Sequence, residues 1–213
     1  MTKYEKILVV LVLGSLWGAL ELFGRDLFRA IGMPQKSALL FGLGIIILYA
    51  SKRLVDFPGS VVVMALIAGL FKTASSHFFP CQFVAVMING IVFDITYSAY
   101  KGRLDSSATY RTIAAPVIVY ASYAVFALIA TYVLREESWA SQGGAGIRSY
   151  LLSAAVSASL ISIVTMNLGY HLGNAIQPYA VLRKLRLPTV MFRVVSVVLV
   201  AAIWIAGQIY LIV

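Results

Sequence analysis

The chain has 213 residues, of which 61% are hydrophobic and only 12% are charged, and its mean hydropathy is +0.92. A soluble domain carries about 45–50% apolar and about 25% charged residues, so this composition excludes a soluble globular protein. The formal net charge is +9. Because the basic residues flank apolar runs, they favour a role in membrane topology and in contact with anionic lipid headgroups over nucleic-acid binding.

Seven apolar runs follow one another along the chain and are separated by short polar connections. A spanning helix needs about 20 apolar residues, and none of the runs shows the two-residue alternation of a membrane β-barrel. The sequence therefore predicts an all-α, polytopic transmembrane helical bundle of six or seven helices that forms a single domain over residues 1–213. The candidate spans are 7–23, 37–50, 60–76, 81–100, 113–134, 150–171 and 189–213.

Two features leave the topology open. The run 37–50 is short for a span, and a re-entrant segment is the alternative. The first run follows Lys3 and Lys6 as a signal peptide would, but no convincing cleavage motif follows, so we expect an uncleaved span. If all seven runs span the membrane, the N-terminus lies inside, and the inside connections carry 11 Lys and Arg residues against 5 outside. If 37–50 is re-entrant, the N-terminus lies outside, and the inside connections carry 12 against 4. Both arrangements predict an outside C-terminus.

Polar residues cluster near the ends of the first and third runs. Ionisable side chains inside a membrane cost several kcal/mol, so they indicate either a functional site or an interhelical pair. The functional interpretation is a pocket for an anionic or zwitterionic small molecule, in which Lys72 and Arg25 hold a carboxylate or phosphate. The alternative is a pair between Glu21 and Lys72 or Arg25 that locks two helices. The candidate ligand-binding residues are Trp17, Glu21, Arg25, Lys72, His77 and Cys81, with Phe78 and Phe79 as further stacking surface.

His77 and Cys81 are metal-ligand types four residues apart. Pro80 interrupts a regular helix through both, and the chain contains only two histidines. The pattern favours an interfacial histidine and a buried thiol, so we predict no metal site and no cofactor.

Further polar residues lie within the later spans. They are Asn89, Asp94, Asn167 and His171, with Asn174 on the same helical face as the last two. A proton relay from His171 to Asp94 would suit a proton-coupled secondary transporter. Interhelical hydrogen bonding is the favoured alternative, because no chain of acids crosses the membrane. The sequence contains no G-x-S-x-G, H-E-x-x-H or Walker A motif, so we predict that the protein is not an enzyme.

The first span also carries small residues at a four-residue repeat. Gly14 with Gly18, and Ser15 with Ala19, form a smooth stripe on which another helix can pack closely.

This stripe belongs to a wider pattern over roughly the first hundred residues. It comprises SLWGALE at 15–21, a glycine–proline break at 32–34, KRLVDFPGS at 52–60, and a Lys72-bearing helix followed by a proline turn. The pattern resembles the substrate-binding (S) components of energy-coupling-factor transporters, which are bacterial membrane proteins.

The resemblance implies a helical bundle that binds a vitamin, a vitamin precursor or a metal ion near the outer face. It implies docking through Gly14, Ser15, Gly18 and Ala19 on a transmembrane coupling protein that carries two ATPases. The ligand would lie near Trp17, Glu21, Lys72 and the turn 77–81. Thr2 stands where the cobalt and nickel members place a histidine, which argues against a metal ion as the ligand.

We therefore expect a multi-pass protein of the bacterial inner membrane that binds a small molecule for an ATP-driven uptake transporter. The expected partners are the small-molecule substrate, the coupling subunit, the ATPase subunits and the lipid bilayer, and not nucleic acid. The alternatives are an accessory membrane subunit without a ligand and a proton-coupled secondary transporter.

Overall fold

The computed structural model describes residues 2–73, 80–176 and 189–212, and every regular element in these ranges is a helix. One of the helices, over Ala108–Leu128, continues into a π-helical turn at Ile129–Val133. The helices are α1 (Lys3–Ala30), α2 (Lys36–Leu54), α3 (Ser60–Thr73), α4 (Pro80–Ser106), α5 (Ala108–Leu128), α6 (Glu137–Ala140), α7 (Gly143–Ala175) and α8 (Thr189–Ile212).

Six of these helices are long and apolar enough to cross a membrane: α1, α2, α4, α5 with its π-helical extension, α7 and α8. The chain is therefore a multi-pass membrane protein, and the predicted all-α helical bundle is confirmed. The helix over Lys36–Leu54 has 19 residues, so the run 37–50 has the length of a span and a re-entrant segment is not needed. The described part of α3 is apolar, and its 14 residues measure about 21 Å.

Successive helices alternate in direction when α3 is counted and the four-residue α6 is left out. The helices α1 and α2 are antiparallel, since Trp17 packs at Gly44 and Leu40 lies at Gly24. The helices α1 and α3 are parallel, and so are α2 and α7. The bundle consequently has two ends: the cavity end, around Glu21 and Lys72, and the network end, around Lys52 and Asp94. The C-terminus of α8 lies at the cavity end, since Tyr210 donates to Asp26 near the end of α1.

The helix α2 lies at the centre of the bundle, with 61% of its span buried. It packs chiefly along α7, where glycines allow the two backbones to approach. An added Cβ at Gly169 would lie 2.9 Å from the Ile46 carbonyl oxygen, and one at Gly173 would lie 3.0 Å from the Ala50 Cα. Any side chain at these positions would force the helices apart, so glycine is required by the close packing.

The helix α8 lies at the periphery, with only 11% of its span buried. It packs along α1, where the Trp204 indole N–H donates to Ser15 Oγ at 3.0 Å. The Trp204 ring also packs edge-on against Phe71 of α3, and Tyr210 packs edge-on against Phe23 of α1. Most of the remaining α8 surface is apolar and exposed, as expected for a helix that faces lipid.

Candidate functional site: a cavity at one end of the bundle

A cavity of about 590 Å³ lies at the cavity end, between α1, α2, α3, α4, α5 and α7. Its volume falls in the range of about 300–1,000 Å³ that is usual for small-molecule sites. The cavity forms where the ends of six helices diverge around the connection between α1 and α2.

The mouth of the cavity is formed by that connection, residues 33–37, which is largely exposed. The chain reverses there through two residues in the left-handed region, Gly32 (φ 65°) and Gln35 (φ 55°). Two basic side chains line the mouth: Arg25 in the last turns of α1 and Lys36 at the start of α2. The Arg25 Nε lies 3.7 Å from Asp26 Oδ1, and both of these side chains are about one-third exposed or less.

The floor of the cavity contains a buried ion pair. Lys72 Nζ donates to Glu21 Oε2 at 2.8 Å, and the two residues are only 6% and 7% exposed. Because Glu21 comes from α1 and Lys72 from α3, the pair also joins these two parallel helices. Both side chains line the cavity, so the pair is accessible to a molecule bound there.

One wall of the cavity is aromatic. The rings of Tyr123 and Tyr150 stack with their centroids 5.0 Å apart and their planes within 15° of parallel. Phe41 packs edge-on against Tyr123, and Phe126 lies one turn from Tyr123 on the same helix. Trp139 of the short helix α6 packs edge-on against Tyr150 and holds it in place. These rings offer a rigid apolar surface on which a planar group can stack.

Several polar atoms at the cavity have no hydrogen-bond partner among the described residues. Ser122 Oγ is buried and lines the cavity, and the Trp17 indole nitrogen is buried beside Gly44. The Asn89 side chain, which lines the cavity, forms no hydrogen bond to any residue in the described ranges. A narrow void continues below the floor between Trp17, Glu21 and Asn89. Buried polar groups normally have hydrogen-bond partners, so these atoms are suited to hydrogen-bond with a polar ligand.

The predicted ligand-binding residues are largely brought together. Glu21, Arg25, Lys72 and Cys81 all line the cavity, on three different helices. Trp17 does not line it: the ring is 1% exposed and borders the narrow void below the floor. The predicted contribution of His77, Phe78 and Phe79 lies outside the described residues.

The aromatic wall and Ser122 are the residues that sequence reasoning missed. The sequence patterns above single out none of them as ligand-binding residues and name Trp17 as a ligand-binding residue instead. The available signal was a tyrosine and a serine side by side, Ser122 and Tyr123, in an otherwise aliphatic span. These residues form part of the cavity wall only because α5 packs against α7.

The small-residue stripe on α1 packs against other helices of the same chain, and docking of a partner there stays a prediction. An added Cβ at Gly14 would lie 3.0 Å from the Ile67 Cβ, and one at Gly18 would lie 2.6 Å from the Phe71 Cβ, both on α3. Ser15 is fully buried and accepts the hydrogen bond from Trp204 of α8, while Ala19 is half-buried. The close approach that small residues permit therefore serves α3 and α8.

The network end holds a second buried ion pair, and backbone groups also bond to both of its members. Lys52 Nζ lies 2.6 Å from Asp94 Oδ1 and also donates to the Phe57 carbonyl at 3.1 Å. Asp94 accepts from the backbone N–H groups of Gly59 (2.8 Å) and Val61 (3.4 Å) at the start of α3. Asp94 thus ties the α2–α3 connection and the N-terminus of α3, where the helix dipole favours an anion, to α4.

Around this pair, side chains from α2, α4, α5 and α7 form an interhelical network. Arg53 pairs with Asp105 at 2.7 Å and donates to Asn174 Oδ1 at 2.8 Å. Arg111 donates to Asn167 Oδ1 at 2.9 Å and to the Leu104 carbonyl at 2.7 Å. Asn167 and Asn174 do share a face of α7, as their spacing predicts, and that face meets two arginines.

A proton relay from His171 to Asp94 finds no support in this geometry. His171 is exposed, and its ring packs against the neighbouring Tyr170. Asp94 is engaged by one ammonium group and two backbone N–H groups. The favoured alternative, interhelical hydrogen bonding, is what the structure shows for Asp94 and Asn167. Asn89, by contrast, belongs to the cavity.

Within residues 2–73, 80–176 and 189–212, no group of three His, Cys, Asp or Glu side chains is placed to hold a metal ion. Searches against protein-family models, curated proteins and solved structures find no match.

Proposed function

We propose that this membrane protein binds a small anionic or zwitterionic molecule in the cavity at the cavity end. The observation that carries the proposal is the lining: three basic side chains, Arg25, Lys36 and Lys72, face the cavity together with one carboxylate, Glu21. This excess of positive charge lies beside a rigid aromatic wall and unpartnered polar atoms. Such a combination of apolar surface and a few convergent polar groups is typical of a ligand site.

We further propose that the cavity opens to the outside of the inner membrane. The basic residues favour this orientation, because cytoplasmic connections carry more Lys and Arg than outside ones. Among the described residues, the network end carries Lys3, Lys6, Lys52, Arg53, Lys101, Arg103, Arg111 and Arg193, and the cavity end carries Arg25, Arg29, Lys36, Arg135 and Arg148. In this orientation the C-terminus of α8 is outside and the cavity collects its ligand from there.

The resemblance to energy-coupling-factor S components supports a role in ATP-driven uptake, in which a coupling protein and its ATPases release the captured ligand inward. Residues 1–213 contain no Walker A motif, so in this proposal the ATP is hydrolysed outside them. Because α3 and α8 cover the stripe on α1, such a partner reaches Ser15 only if α8 moves. The peripheral packing of α8 makes it the helix that can be displaced at the lowest cost.

Native mass spectrometry of the protein extracted gently from its own membranes tests the proposal, because it reports bound molecules and partners together. We compare the wild type with Ala85→Trp, which places an indole in the cavity, and with Ile95→Trp, a control on the lipid-exposed side of the same helix. We expect a retained small molecule in the wild type and in Ile95→Trp and its loss in Ala85→Trp.

Retention of the molecule by Ala85→Trp would contradict binding in this cavity. A co-purifying ATPase complex would support the uptake role. A wild-type chain that is empty and associated with an unrelated membrane complex would favour an accessory subunit without a ligand.

A further inference from the structure

The charged groups of the cavity lie at two depths. Arg25 and Lys36 lie at the mouth, beside the exposed connection 33–37, whereas Glu21 lies one turn, about 6 Å, further down α1. Asn89 lies seven residues, about 10 Å, below Gln82 along α4. The following inference rests on the proposed binding function and concerns which end of the ligand enters first.

The floor does not favour an added anion. The Lys72 ammonium is already neutralised by Glu21 at 2.8 Å, and both side chains are more than nine-tenths buried. An anion that took Lys72 for itself would leave the Glu21 carboxylate buried without its partner, and an unpaired buried charge is strongly unfavourable. The pair therefore acts as a neutral surface toward the ligand.

The floor does offer uncharged hydrogen-bonding groups. Ser122 lines the cavity and is fully buried, and its hydroxyl has no partner in the described ranges. The Asn89 amide, half-buried beside it, can donate and accept. The Trp17 N–H is also unpartnered, but it borders a void that is too narrow for a ligand atom. A carbonyl, amide or ring nitrogen of a ligand can bond to Ser122 and Asn89 without disturbing the ion pair.

The mouth has the opposite character. Arg25 and Lys36 face the cavity there, and the acidic neighbour within salt-bridge distance in the described chain is Asp26, 3.7 Å from Arg25. Arg25 is partly exposed and can turn toward a ligand. A guanidinium and an ammonium group together suit a carboxylate or a phosphate.

We propose that the ligand is a planar aromatic anion that inserts with its uncharged, hydrogen-bonding edge first. Its ring stacks on Tyr123 and Tyr150, its polar edge meets Ser122 and Asn89, and its anionic group stays at the mouth between Arg25 and Lys36. The cavity thereby selects a molecule with its charge at one end and excludes one that is charged at both.

Matched pairs of an acid and its neutral amide test this orientation. The probes are indole-3-acetate with indole-3-acetamide and benzoate with benzamide, titrated onto the full chain in nanodiscs and followed by saturation-transfer NMR. We expect at least one acid to bind about tenfold more tightly than its amide. Arg25→Gln should lower the affinity of the acid at least fivefold and leave the amide unchanged, because only the acid reaches the guanidinium.

Two further variants test where the charged end and the uncharged end of the ligand lie in the cavity. Arg29→Gln, an exposed cation one turn beyond Arg25 that does not line the cavity, should change neither affinity. Ser122→Ala should weaken the acid and the amide equally, about fivefold, because the hydroxyl meets the uncharged edge that both probes share. The proposal would be overturned if Lys72→Met lost the preference for the acid while Arg25→Gln kept it. That result would place the anionic group at the floor of the cavity.

Equal affinities for acid and amide in the wild type would also overturn it. In that case the binding function itself survives if Ala85→Trp abolishes both affinities. Absence of binding by every probe would overturn the aromatic-anion class, while the molecule retained in native mass spectrometry would still decide whether the cavity binds a ligand.

Discussion

The two ends of the bundle each bury one lysine–carboxylate pair, yet the surroundings of the two pairs differ. At the network end, Lys52 and Asp94 are joined by a carbonyl and two backbone N–H groups, and packed side chains enclose them. At the cavity end, Glu21 and Lys72 border an open volume, and nearby polar atoms have no partner in the described chain. Both pairs consist of an ammonium group and a carboxylate, so the difference between them lies in how closely the neighbouring helices pack around them.

This contrast indicates two roles for buried charge in one membrane protein. A pair that is enclosed by packed side chains and hydrogen-bonded to the backbone fixes the positions of helices and presents no surface to a ligand. A pair beside a cavity can hold two helices together and still present a polar surface to a ligand. Four substitutions test this distinction, in order of decreasing effect on the free energy of unfolding.

The largest effect is expected for Asp94→Ala. It leaves the Lys52 ammonium, whose side chain is 1% exposed, without its counter-ion, and it removes the cap of α3. We expect a loss of about 3–5 kcal/mol, measured by SDS-induced unfolding in mixed micelles. The control is Asp56→Ala, which removes an exposed pair with Lys101 and should cost less than about 1 kcal/mol. Equal losses for the two variants would contradict a structural role for the buried pair.

A smaller effect is expected for Glu21→Gln. It also removes the counter-ion of a buried lysine, but Lys72 borders a cavity that water can enter, and the amide keeps one hydrogen bond. We expect a loss of about 1.5–3 kcal/mol by the same unfolding measurement. A loss as large as that of Asp94→Ala would show that the cavity does not hydrate the lysine and would remove the distinction between the two ends.

The smallest effects come from removing one hydroxyl at each end. Tyr49→Phe deletes the donor to the Leu104 carbonyl at 3.0 Å, in the packed network, and should cost about 0.5–1.5 kcal/mol. Ser122→Ala deletes a hydroxyl that has no partner in the described chain and should change stability by less than about 0.5 kcal/mol. A larger loss in Ser122→Ala than in Tyr49→Phe would mean that the cavity hydroxyl serves the fold and not a ligand.

Local sequence patterns predicted the helices and part of the site. Apolar runs set the spans, because a bilayer requires each segment to satisfy its own backbone. The Glu21–Lys72 pair was one of two alternatives, since a carboxylate and an ammonium group in neighbouring spans gain most by meeting. In the structure the pair joins α1 to α3, as the structural interpretation predicts, and it also lines the cavity. Ligand binding by these residues stays a prediction.

What the sequence could not supply is which helix lies against which. Lys52, at the end of an apolar run, has the pattern of an interfacial lysine, and only the approach of α4 buries it beside Asp94. Tyr150 becomes a cavity wall only because α7 packs against α5. Gly14 and Gly18 predicted a close helix contact, but not that the contact is with α3 of the same chain. Each of these outcomes depends on contacts between distant residues, which have no signature in a local pattern.

The central position of α2 has a consequence for how the protein is made. Its main packing partner, α7, ends at Ala175, roughly 120 residues after α2 ends at Leu54. At about 5–20 residues per second, the ribosome completes α7 some 6–24 s after α2. Throughout this interval the face of α2 around Gly42 lacks its final neighbour, so the nascent chain must rely on the translocon, an insertase or lipid to cover it. The most buried helix of the finished bundle is thus among the last to be fully enclosed.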